Sequence, residues 1–97
     1  MPLYLDEIYF NVPNREAFKQ SVELINGAIK NGFPPGVTLK AGPWASNEEP
    51  KIFLVLDIQD HSQTFGPFSG AVASGVISKR RLTPIVDWAA VEQAVKG

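Results

Sequence analysis

The residue pattern predicts an α+β fold of order β-α-β-β-α-β with a short closing helix. Three observations carry this reading. Lys51 to Gln59 alternates strictly, with Ile52, Leu54, Leu56 and Ile58 on one face and Phe53, Val55 and Asp57 on the other. Phe18, Val22, Ile25 and Ile29 recur at helical spacing. Proline, glycine and asparagine clusters separate the periodic segments.

The first strand runs from Leu3 to Val12, rich in Tyr, Ile, Phe and Val. Ile8, Phe10 and Val12 share one face; Leu5, Glu7, Tyr9 and Asn11 share the other. Pro13 ends the strand, and Asn14 supplies an N-cap for a helix over 15–30. Asn31-Gly32 stops that helix and Pro34-Pro35 prevents its resumption. Gly36 to Trp44 reads as the second strand, and Ala45 to Pro50 as an acidic hairpin loop before the third. Asp60 caps a further helical region, with Gln63 placed as in a capping box. Pro67 is expected to break it at Gly66-Pro67, leaving a helix from Phe68 to about Ser78 with Phe65, Phe68, Val72 and Val76 as its apolar stripe. The last strand is expected from Arg81 to Val86, with Pro84 calling for an edge position or a bulge. Asp87 then caps a final helix from Trp88 to Lys96, which Trp88 anchors.

Ninety-seven residues fit one domain spanning 1–97. The absence of cysteine excludes disulfides, thiolate metal sites and a cysteine nucleophile. One histidine and no cysteine leave only carboxylates for a metal, so no metal is expected. Haem on His61 is an alternative that nothing else in the sequence supports, and no cofactor is expected. Nine basic residues against ten acidic ones give no field to attract a nucleic acid backbone. Lys79-Arg80-Arg81, the one basic cluster, reads as the solvated end of the second helix. No segment approaches the ~20 apolar residues of a membrane span, and the first ten residues lack a basic leader and apolar run. A cytosolic protein is the expectation.

Two β-α-β units sharing one antiparallel sheet form the ferredoxin-like split arrangement. Both helices then cover the aliphatic face. The opposite face carries Leu5, Glu7, Tyr9, Trp44, Phe53, Val55 and Asp57, which is too apolar for water. A second copy laid face to face would cover it, making a homodimer that encloses a space between two sheets.

GVTLKAGPW, the strand IFLVLDI with its polar helix cap, and the closing run LTPIVDWAAVEQAV together resemble the dimeric α/β-barrel superfamily. Within it the chain is similar to a small family of uncharacterised proteins, a domain of unknown function. The resemblance spans most of the chain and its motifs are structural. It implies the ferredoxin-like fold and the dimer. Similar domains include cofactor-free monooxygenases, lactone isomerases, polyketide cyclases and haem-degrading enzymes, so no chemistry is selected.

The candidate acid/base groups are His61, Asp57 and Glu7. His61 is the only histidine and stands at a helix start. In related barrel enzymes a histidine near this element serves as base; an exposed polar residue in a first helical turn is the competing reading. Asp57 and Glu7 lie on neighbouring strands and face the enclosed side, where an apolar setting makes a carboxyl an acid or base. The alternative is that Asp57 meets water at its strand end and Glu7 pairs with Lys40 or Arg81. Tyr9, Trp44, Phe53 and Val55 are the expected walls for a small apolar or aromatic ligand, although packing is the commoner role of such residues. The leading expectation is a homodimeric small-molecule binder; the others are a cofactor-independent isomerase, cyclase or monooxygenase, and an interaction domain without a pocket.

Overall fold

Alternation in Leu3–Phe10 (β1) and Lys51–Ile58 (β3) produces two central strands that pair antiparallel, with Leu5 opposite Val55 and Glu7 opposite Phe53. The computed structural model describes residues 2–96. Val37–Ala45 (β2) and Ile77–Ile85 (β4) flank the central pair, giving an open antiparallel sheet of order β2-β3-β1-β4. Helices occupy Arg15–Asn31 (α1), Phe65–Ala73 (α2) and Trp88–Lys96 (α3), and a 3-10 turn spans His61–Thr64. This α+β order is compatible with the ferredoxin-like arrangement.

The caps expected at α1 form. Asn14 Oδ1 accepts from the Ala17 N–H at 2.8 Å, and Gly32, at φ +90°, closes the far end by donating its N–H to Ala28. Pro84 lies on β4, an edge strand where its missing N–H leaves no ladder bond unmade.

Several expectations need correction. Helix α2 starts at Phe65 and includes Pro67, because a proline in the first turn gives up only an N–H that has no intrahelical partner. The helix also ends at Ala73, so Val76 lies outside it and Ala71 is its buried residue. Strand β4 begins at Ile77, and the basic cluster therefore lies in a strand and not at a helix end. Strand alternation sends Arg80 to one face of the sheet and Lys79 and Arg81 to the other. Asp60 caps through the Ser62 N–H at 3.0 Å, and only its backbone carbonyl meets Gln63.

The core lies on the helix side of the sheet. Leu54, Leu56, Ile58 and Val37 form one buried cluster, and Phe10, Ala71 and Ile77 form a second. Ile8 and Ile52 touch both. Helix α1 meets this surface through small residues. Ser21 is its one buried residue, returning its hydroxyl to the Ala17 carbonyl at 3.0 Å. Of the expected stripe only Ile25 packs against the core; Phe18 is 59% exposed, and Val22 and Ile29 are also exposed. Helix α3 does not anchor through Trp88, which is 73% exposed. The standing-off of these helices agrees with a radius of gyration of 14.9 Å, against about 12.5 Å for a close-packed chain of this length.

Candidate functional site

The space left under α1 is a cavity of about 200 Å³. Ile8, Leu54 and Leu56 of the sheet form its floor, Ile25 and Ile29 line it from α1, and Phe68 lines it from α2. The polar side chains on its wall are Asp6, Thr64 and Arg80. Asp6 is reached by the alternation that buries Ile8 and Phe10: it is the even position before them on β1, opposite Leu54 and Leu82. It is only 2% exposed. Arg80 is opposite Ile8 and so points to the same face. Its Nε–H donates to Asp6 Oδ1 at 2.8 Å and its Nη2 to Oδ2 at 2.9 Å, a two-pronged charge-assisted pair. The guanidinium also lies 5.7 Å from the Phe68 ring centroid. Burial raises the Asp6 carboxyl above its ordinary 3.8, and the bonds and charge of Arg80 act against that rise. An apolar cavity walled by one buried ion pair has the make-up of a small-molecule site.

Neither member of this pair was among the expected site residues. Asp6 carried a signal, an acid set among Tyr4, Ile8 and Phe10 on one strand face. Arg80 had none while its segment read as helix, because its direction depends on where β4 begins.

The expected residues fall into separate places. Glu7 and Tyr9 do converge, on the open face, through Lys51. Lys51 Nζ donates to Glu7 Oε2 at 2.7 Å and to Tyr9 Oη at 3.2 Å. The Lys79 ammonium lies 4.5 Å from the Tyr9 ring centroid and that of Lys51 at 5.1 Å, so two lysine stems cover this ring from solvent. Neither Lys40 nor Arg81 is the hydrogen-bonding partner of Glu7. The Lys51 bond holds the Glu7 carboxyl below its ordinary 4.5, the reverse of the rise expected in an apolar enclosure. Lys51 is correspondingly raised above its ordinary 10.5, first by Glu7 and then by Tyr9.

Phe53 is opposite Glu7 and Val55 opposite Leu5 on this same open face. Trp44 pairs with Phe53 at 6.4 Å between ring centroids and is 51% exposed. Asp57 lies six residues along β3 from Lys51, roughly 20 Å away. It is buried, at 3% exposure, and accepts from Gln59 Nε2 at 2.8 Å. His61 is exposed and meets Tyr4 edge-on, with ring centroids 4.6 Å apart. Neither Asp57 nor His61 lines the cavity beneath α1.

A second hollow, of about 460 Å³, lies between α1 and the β2–β3 hairpin and takes in Phe18, Val22, Trp44 and Lys51. Among the described residues no cluster of His, Asp and Glu is arranged to hold a metal ion. No helix there is long and apolar enough to cross a membrane. No protein-family model matches the chain, and no curated protein matches it in sequence.

Proposed function

We propose that this protein binds a small, largely apolar molecule in the cavity between α1, α2 and the sheet. The observation that carries the reading is the Asp6–Arg80 pair on the wall of an otherwise apolar space of about 200 Å³. A cavity of about 150 Å³ takes a benzene ring, so one ring fits here. An apolar guest removes its own surface and that of Leu54, Leu56 and Ile25 from solvent. The proposed ligand position is under the helices, on the face opposite the Tyr9, Trp44, Phe53 and Val55 walls expected from the sequence.

The test is titration of the ¹⁵N-labelled protein with single-ring hydrocarbons, read by amide shifts. Saturable shifts centred on Ile8, Leu54, Leu56 and Ile25 support the reading. Filling the space by Ala28→Phe or Ala71→Leu should abolish them. Shifts confined to the open sheet face, or none, overturn it.

A second copy on the open face is the accompanying proposal. It rests on the half-exposed Trp44 beside Phe53 and on the resemblance of the chain to dimeric α/β barrels. Light scattering at micromolar concentration should give twice the chain mass, and Trp44→Glu should return it to the monomer. A monomeric wild type removes the dimer and leaves the cavity reading untouched. A catalytic role for Glu7, Asp57 or His61 would require a substrate at the open face or beside the exposed His61. Replacement of each in turn, against turnover of a bound compound, is its test.

A further inference from the structure

Hydrogen-bond capacity within the buried pair restricts what the cavity accepts. A carboxylate has about four acceptor positions, and a guanidinium has five N–H donors. Asp6 and Arg80 spend two of each on one another. The Nη1 group of Arg80 makes no hydrogen bond to the protein among the described residues, and each Asp6 oxygen accepts only from Arg80. The pair thus offers a cavity ligand unused donors beside unused acceptors. Its charges cancel, so it offers no surplus positive charge. An anionic guest would surrender its hydration to an apolar space with nothing to balance it. A neutral hydroxyl on a ring can donate to Asp6 and accept from Arg80 together, and both bonds involve an ionised partner. The aliphatic walls and Phe68 take the ring.

We infer that the ligand is a neutral single-ring compound bearing a hydroxyl, phenolic or enolic, seated against Asp6 and Arg80, and that carboxylate-bearing rings are rejected. This inference rests on the cavity reading above and goes further by naming the ligand class.

The experiment uses three ring compounds of closely similar shape, p-xylene, p-cresol and p-toluate, with the full chain at pH 7 and amide shifts as readout. Expected is p-cresol binding about tenfold more tightly than p-xylene, the size of a hydrogen bond to a charged group, and no saturable shift with p-toluate. Asp6→Asn strands Arg80 and can cost the fold, so the decisive variant is the double Asp6→Leu/Arg80→Met, which keeps the cavity apolar. It should bind p-xylene and lose the preference for p-cresol. Equal affinity of wild type for p-xylene and p-cresol overturns the inference while sparing the cavity. Preferred binding of p-toluate overturns it in favour of an anion site. Binding of none of the three overturns the cavity reading and the inference with it.

Discussion

Asp6 and Glu7 are chain neighbours whose carboxylates lie on opposite faces of one sheet, Asp6 bound to Arg80 under the helices and Glu7 to Lys51 on the open side. Their ionisations are displaced in opposite directions. Glu7 is held below 4.5 by the Lys51 bond. The native state therefore releases this proton before the unfolded chain does, and the stability involved is present above pH 4.5 and lost as pH falls through the lowered value. Asp6 is raised above 3.8, first by burial. There the native state keeps its proton longer, so stability falls as pH rises from 3.8 through the raised value. Urea midpoints between pH 2.5 and 6, compared among wild type, Glu7→Gln and Asp6→Leu/Arg80→Met, should show the two differences sloping in opposite senses.

Breaking the Asp6–Arg80 pair on one side should be far worse than removing both partners. Asp6→Asn leaves a guanidinium without its counter-charge and should cost about 3–5 kcal/mol. Asp6→Leu/Arg80→Met should lie near wild type or above it, since apolar replacement of a buried pair is often neutral or stabilising. Denaturant unfolding of the two variants, at a pH where Asp6 is ionised, measures the contrast.

Gly42 and Gly32 both have φ +90°, yet their surroundings differ. A Cβ at Gly42 would lie 3.0 Å from the Phe53 carbonyl oxygen and 3.2 Å from Leu54 Cα, both backbone atoms of β3. At Gly32 it would meet nothing within 4 Å. Gly32→Ala should cost about 1–3 kcal/mol for its backbone conformation alone. Gly42→Ala should cost more, because β2 must also shift away from β3, and amide shifts of Phe53 and Leu54 will report it.

Asn14→Ala removes the acceptor for the Ala17 N–H and should destabilise α1 by about 1 kcal/mol. Asn14→Ser should recover most of that loss. Circular dichroism melts of the three proteins test the ranking.

These features were unequally legible in the sequence. The strict alternation of β3 and the cap at Asn14 are local patterns, and both form as expected. The start of β4 was not, because Ile77-Ser-Lys-Arg has no period long enough to decide between helix and strand, and only pairing with β1 selects the strand. The site was lost with that boundary, since the inward direction of Arg80 follows from register. On α1, Phe18 and Val22 mark the apolar stripe by their size, yet the helix is seated through Ala17, Ser21 and Ile25. The larger side chains flank the second hollow instead.

Because Ser21 is the only buried residue of α1, this helix is attached to the sheet by few apolar contacts. Its amides should exchange with solvent well before those of β3, through openings that leave the sheet ladder intact. Such an opening exposes Ile8 and Leu54 without global unfolding. A guest held between α1 and the sheet would oppose it, slowing exchange along α1 while β3 stays unchanged.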